Sequence, residues 1–110
     1  MKKIIYREFQ TQDQDKIQSL VSIGLRNTAI NQNLNIQARI EKYINESQES
    51  DLGHIDEYFK NGIFFVAEYK NEIVGSLGAI PETSYELRLK RMSVKKEYRR
   101  QGIAKNLLKK

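Results

Sequence analysis

The spacing of apolar residues changes partway along the chain, and that change limits which folds are open to it. Ile17, Leu20, Val21, Gly24 and Leu25 recur at i, i+3, i+4, i+7 and i+8, which gathers them on one face of a helix over about residues 12–26. Ile36, Ile40, Tyr43 and Ile44 mark a second helix, and Leu52, Ile55 and Phe59 a third short helix or a continuation, closed by Asn61-Gly62. Beyond Gly62 the pattern is that of extended chain. Residues 63–69 are rich in β-branched and aromatic side chains, Lys70-Asn71 is a tight connection, and residues 72–80 run back as the second strand of a hairpin. After a turn at Pro81-Glu82-Thr83-Ser84, residues 85–94 read as a third strand that would span about 33 Å at ~3.3 Å per residue.

The ends complete the order. Residues 3–9 mix Ile, Tyr and Phe and predict a short first strand. Thr11 with Gln14 fits a capping box, and Asp13 and Asp15 suit the first turn of the helix that follows. Asn27 to Asn35 is polar and predicts a loop, and residues 95–100 are a charged one. From Gln101 the chain is helical again through Ile103, Leu107 and Leu108. Gly75 and Gly78, inside a strand, call for a bulge or a close backbone approach. The expected fold is therefore α+β, in α/β layers: one domain over residues 1–110, order β-α-α-β-β-β-α, with a largely antiparallel sheet and flanking helices. A last helix over 101–110 is only about 15 Å long, and nothing follows to lie beside the third strand of the meander. The expectation is a fold whose C-terminal part is missing.

Composition removes several chemistries. The chain has no cysteine, which excludes disulfides, thiolate zinc sites and a cysteine nucleophile. Its single histidine, His54, excludes a multi-histidine metal centre, so no metal is expected. No apolar run approaches the ~18 residues of a membrane span, and Met1-Lys2-Lys3-Ile4-Ile5-Tyr6-Arg7-Glu8 lacks the apolar stretch of a signal peptide. A cytoplasmic protein without membrane contact is expected. The net charge of +5 is unevenly placed: residues 88–110 hold ten of the nineteen Lys/Arg and one of the fourteen acids. That segment stands at +9 and the remainder at −4.

The basic segment contains Arg99-Arg100-Gln101-Gly102-Ile103-Ala104, placed where a strand and a charged turn lead into a helix. A helix N-terminus presents unpaired backbone N–H groups and partial positive charge, which suits anions. Gly102 removes a side chain where an anion approaches the backbone, and Ala104 keeps the next facing position small. Arg99 and Arg100 supply guanidinium groups that bind phosphate bidentately. Each such charge-assisted hydrogen bond is worth roughly 1.5–3 kcal/mol.

These residues resemble the Arg/Gln-x-x-Gly-x-Gly/Ala motif of the GCN5-related N-acetyltransferases, the GNAT family. The motif follows a strand ending Met92-Ser93-Val94 and opens a helix, as it does in that family. The element order, the bulge-prone strand before the turn, and the run from Val94 through Tyr98, Arg99, Arg100, Gly102, Ile103, Ala104, Lys105, Leu107 and Leu108 are similar as well. The resemblance covers the family's N-terminal portion. It implies an acetyl-CoA-dependent N-acetyltransferase acting on a primary amine. The pyrophosphate would rest on the amides of Arg99, Arg100, Gln101, Gly102, Ile103 and Ala104, and the pantetheine along Met92, Ser93 and Val94. An amide near Met92 would polarise the thioester carbonyl. Some members carry a catalytic glutamate where this chain has Arg88, with Glu86 two residues earlier, so no base is assigned. The strand, helix and closing hairpin that follow in the family, with their usual tyrosine, are absent from the chain.

Two other readings stand beside this one. A catalytically incompetent CoA-binding fragment would self-associate as a homo-oligomer, or take a second chain, to cover its open strand. A nucleic-acid-binding module would use the basic residues 88–110; tRNA as a substrate would join the two ideas. Elsewhere His54 reads as a surface residue, Glu68 and Glu72 as solvated charges, and Tyr43, Tyr58 and Phe59 as core or rim of the helical layer. Arg88, Lys90 and Arg91 read as charges that keep an open strand from pairing edge to edge.

Overall fold

Lys70 and Asn71 both adopt left-handed backbone conformations, with φ of 50° and 67°, in the computed structural model, which describes residues 3–109. Two successive left-handed residues form the tight turn whose twist matches that of the strands it joins. It connects β2 (Ile63–Tyr69) to β3 (Glu72–Pro81) as the expected hairpin. β1 (Ile5–Glu8) lies along β2 and β4 (Leu87–Val94) along β3, giving an antiparallel sheet in the order β1-β2-β3-β4.

β4 is shorter than the ten residues predicted, because the turn before it is longer. Glu82 N and Thr83 N both donate to Glu86 O, at 2.9 and 3.4 Å, and Tyr85 N donates to Thr83 Oγ1. These bonds take Tyr85 and Glu86 out of the strand. The last helix likewise begins later than Gln101, since Gly102 lies just before its first turn.

Among the described residues, four α-helices flank the sheet: α1 (Gln14–Thr28), α2 (Leu34–Gln48), α3 (Ile55–Tyr58) and α4 (Ile103–Leu108). The capping arrangement expected at Thr11 and Gln14 sits one residue earlier. There the Gln10 backbone N–H donates to Asp13 Oδ2 at 2.9 Å, ahead of a 3-10 turn at Thr11–Asp13. A charged carboxylate is the stronger acceptor for a helix's orphan N–H groups. Asn33 caps α2 by accepting from Ile36 N, and the predicted loop of residues 27–35 contracts to 29–33. His54 is exposed, as expected.

Residues 73–79 of β3 are buried without interruption, so this strand needs cover on both faces. On one face Ile17, Leu20 and Val21 of α1 pack with Leu52, Ile55 and Phe59 over Phe64, Val66 and Ile73. On the other, Ile103 and Leu107 of α4 pack over Ala67, Val74 and Leu77. The two strand glycines supply the close approaches. A Cβ at Gly75 would lie 2.9 Å from Ile103 Cγ2, and one at Gly78 only 2.4 Å from the Phe59 ring. The bulge expected near them is present as well: Val74 is an extra residue of β3 between the pairs Ala67–Gly75 and Glu68–Ile73. Among the described residues, no helix is long and apolar enough to cross a membrane.

Arg7 ties the open end of the sheet to the first helix. Its Nη1 and Nη2 donate to the two Asp13 oxygens at 2.8 and 3.0 Å, and its Nε to Glu68 at 2.8 Å. Glu68 is therefore a paired group on β2, not the solvated charge its place near a hairpin suggested. Asp13 is 1% exposed. Burial pushes the Asp13 carboxyl up, but hydrogen bonds from Arg7 and the Gln10 amide outweigh it and hold its pKa below the ordinary 3.8. A carboxylate with a lowered folded pKa stabilises the fold above its unfolded value and loses that contribution as pH falls through the folded one. Asp13→Asn should therefore cost about 1–3 kcal/mol at neutral pH, read as a lower urea midpoint. The wild-type midpoint should owe nothing to this group's titration down to about pH 4, and fall below that.

Candidate functional site

β4 is the edge of the sheet among the described residues, and its backbone does not run straight. Ser76 pairs with Ser93 and Gly78 with Lys90, so Arg91 and Met92 together stand against the single Leu77 of β3. This bulge lies in the strand before the basic turn, the one likened to the bulge-prone strand of the family. Arg91 takes a left-handed backbone there, φ 56°, which costs a non-glycine residue roughly 1–2 kcal/mol. Two buried partners hold it. The hydroxyl of Ser76, fully buried in β3, donates to the Arg91 carbonyl at 2.7 Å. The Arg91 guanidinium donates from Nε and Nη2 to the two oxygens of Asp51, at 2.5 and 2.8 Å.

The Arg91 side chain is 10% exposed and Asp51 2%, so Arg91 points into the protein. The expectation that it guards an open edge is corrected here: the bulge re-aims the side chain toward the segment linking α2 to α3. Ser47 Oγ and Tyr43 OH accept from the same guanidinium, and Lys90 Nζ lies over the Tyr58 ring and donates to its hydroxyl. Burial pushes the Asp51 carboxyl up, and the hydrogen bonds and charge of Arg91 reverse this and hold it below the usual aspartate value. Arg91 is correspondingly raised by Asp51.

α1 lies beside the edge strand on the same face. Gly24 sets the spacing: a Cβ there would be 3.2 Å from Ser93 Oγ. The groove between them has a volume of about 540 Å³, walled by Val21, Gly24 and Leu25 on one side and Met92, Ser93 and Val94 on the other, and it ends at Arg99 and Ala104. A further cavity of about 550 Å³ continues past Gly24, Val94 and Arg99 toward Ile23, Ile73 and Lys96.

The chain leaves β4 with Lys95 N donating to Val74 O, passes a 3-10 turn at Lys96–Tyr98, and is pinned where Arg99 Nε donates to Val94 O at 3.1 Å. Arg100 and Gly102 are both left-handed, with φ of 65° and 79°. The first hydrogen bond into α4 runs from Asn106 N to Gly102 O, so the amides of Gly102 to Lys105 precede the helical ladder. Among the described residues, no atom beyond Gly102 and its chain neighbours lies within 4 Å of where a Gly102 Cβ would stand. The room above this loop is open.

Five of the nine residues singled out in the sequence line one groove: Met92, Ser93, Val94, Arg99 and Ala104. Arg100, Gln101 and Gly102 form the exposed loop at its end. Ile103 is set apart, because its side chain is 2% exposed and fills the space over Gly75, leaving only its backbone to the loop. Asp51, Ser47 and Ser76, which fix the bulge, carried no sequence signal, since Asp51 and Arg91 are 40 positions apart. Gly24 did carry one, as a glycine within an apolar helix stripe. Gly102→Ala should destabilise the fold by about 1–2 kcal/mol, through left-handed strain alone, with no loss of sheet packing. Chemical denaturation with unchanged near-ultraviolet spectra checks this.

Residues 60–110 match the model of the acetyltransferase (GNAT) domain. No curated protein matches the chain by sequence. Among solved structures, a GNAT-family acetyltransferase from Staphylococcus aureus superposes with a TM-score of 0.77 at 24% identity, over 97% of this chain and 63% of its own. The PaiA N-acetyltransferase from Thermoplasma acidophilum, in complex with coenzyme A, gives 0.78 at 22% identity over 96% and 67%. A GNAT acetyltransferase from Brucella melitensis, in complex with acetyl-CoA, gives 0.66 at 18% over 98% and 65%. The chain thus spans slightly under two thirds of the S. aureus protein. The chain has the fold of the GNAT acetyltransferases, and its residues 60–110 match the model of that domain.

Proposed function

We propose that the chain is the cofactor-binding portion of an acetyl-CoA-dependent N-acetyltransferase that acetylates a primary amine. The observation that carries this is the α1–β4 groove leading directly to the left-handed loop at Arg100 and Gly102. Relatives of the same fold bind coenzyme A or acetyl-CoA, and the groove and loop lie mostly within the matched segment.

In this reading acetyl-CoA is a co-substrate that supplies an acetyl thioester. The amides from Gly102 onward, with Arg99 and Arg100, take its pyrophosphate; among the described residues neither arginine has an ion-pair partner to give up. The extended edge at Met92, Ser93 and Val94 takes the pantetheine arm as an added strand would be taken. An amide at the bulge, by Met92, donates to the thioester carbonyl as negative charge gathers on its oxygen. Acetyl transfer forms an amide C–N bond and breaks the C–S bond, with the amine's proton passing to water or a base. The described lining of the groove itself offers no carboxylate or imidazole for that proton, while the cavity that continues from it is lined by Asp15, Glu72 and Glu97. Arg88, on β4, is instead paired with Glu82.

Calorimetry tests the binding claim. Coenzyme A should bind the chain, and Gly102→Glu, which places a carboxylate in the open space above the loop, should weaken binding at least tenfold while the protein stays folded. Equal affinity in wild type and variant removes the proposal.

A second reading rests on the exposed edge itself. Leu87 and Leu89 are 66% and 48% exposed at alternate positions of β4. Further polypeptide, from this protein or from a second copy, would cover that face in the working enzyme. Sedimentation at micromolar concentration should show self-association of the 110-residue chain, reduced by Leu89→Lys. A nucleic-acid role finds less support, because Arg88, Lys90, Arg91 and Lys95 are each paired with an acid.

A further inference from the structure

The strained residue at the bulge is held from two directions, and only one of them belongs to the sheet. Ser76 Oγ fixes the Arg91 carbonyl from within β3. Asp51 fixes the side chain from the segment between α2 and α3, through two hydrogen bonds to a guanidinium that is 10% exposed. Ser47 and Tyr43, both on α2, accept from the remaining N–H groups. Neither Asp51 nor Arg91 points at the phosphate loop. What the pair determines is the path of the backbone through Arg91 and Met92.

We propose that Asp51 is a positioning residue, acting through Arg91 to set the amide at Met92 that meets the acyl carbonyl of the co-substrate. This rests on the acetyl-CoA reading above and adds to it a residue that no motif includes. A left-handed arginine is a poor intrinsic choice at a bulge, where glycine would be free to turn. Arginine there is explained by its side chain: it converts a flexible strand edge into one braced against the helical layer. The brace is bidentate, so it fixes direction as well as distance. Lysine cannot reproduce it.

The two co-substrate forms separate this role from simple stabilisation. Coenzyme A lacks the acyl carbonyl, and its diphosphate is held at residues 99–104. Acetyl-CoA adds the carbonyl at the bulge. Asp51→Asn keeps the shape but removes the charge and one acceptor position. The affinity for coenzyme A should then stay within about twofold, while that for acetyl-CoA falls about fivefold, a change of the size expected for one hydrogen bond. Arg91→Lys should behave the same way, and Asp51→Glu, which restores the carboxylate, should recover part of the difference.

A readout in the free protein stands apart from ligand binding. In heteronuclear NMR spectra, Asp51→Asn should shift and broaden the Met92 and Ser93 amide signals and leave those of Gln101 to Ala104 in place. Equal weakening of both ligands, or an unchanged ratio with unchanged Met92 signals, overturns the proposal. If wild type binds neither ligand, the acetyl-CoA reading fails. The claim that Asp51 sets the bulge is then decided by the amide signals alone, and unmoved signals end it.

Discussion

The double burial of β3 is the constraint from which the arrangement follows. A strand with residues 73–79 inaccessible to solvent requires an apolar layer above and another below. The chain provides α1 and α3 on one side and α4 on the other. It is glycine, at 75 and 78, that lets those layers come close. Because α4 must cross from the end of β4 to the opposite face, the connection between them turns sharply. The residues that make this turn, Arg100 and Gly102 among them, are the ones that form the loop. The left-handed turn at Arg100 and Gly102 is thus a by-product of covering the second face of the central strand.

Around the edge strand the chain uses charge in a way that total composition does not reveal. The surplus of basic residues over 88–110 is divided in two. Arg91 and Lys90 face the helical layer, and Lys95 pairs with Glu72 on β3. Arg99 and Arg100, past the end of β4, remain exposed. Cations that brace the scaffold and cations left in solvent are therefore sorted by position along the chain.

Local chemistry was legible in the sequence where it acts locally. Lys70-Asn71 marked the hairpin, Gly75 and Gly78 the close approaches, and the strand-turn-helix setting of Arg99 to Ala104 the loop. What was not legible depends on residues far apart in the chain. Arg91 looked like an edge charge because Asp51 could not be placed beside it, and Glu68 looked solvated because Arg7 lies 61 positions away. The cap at Asp13 was misplaced by one residue for the same reason: its carboxylate is recruited by Arg7 as well as by the turn. Spacing identifies a helix face, but long-range ion pairs decide which charges are interior.

The sheet order also bears on how the chain is assembled during synthesis. β2, β3 and β4 are consecutive and pair by short connections, whereas β1 waits for a partner separated from it by three helices. Translation from the N-terminus delivers β1, α1, α2 and α3 before any strand exists to receive them. The apolar faces of α1 and α3 stay exposed until β2 and β3 have left the ribosome. Pairing β1 with β2, which brings Arg7 to Glu68 across 61 positions, closes a longer loop than either β2–β3 or β3–β4. The core beneath α1 and α3 is thus built from strands that follow them in the chain, so neither helix buries its apolar face until the Lys70-Asn71 hairpin has formed.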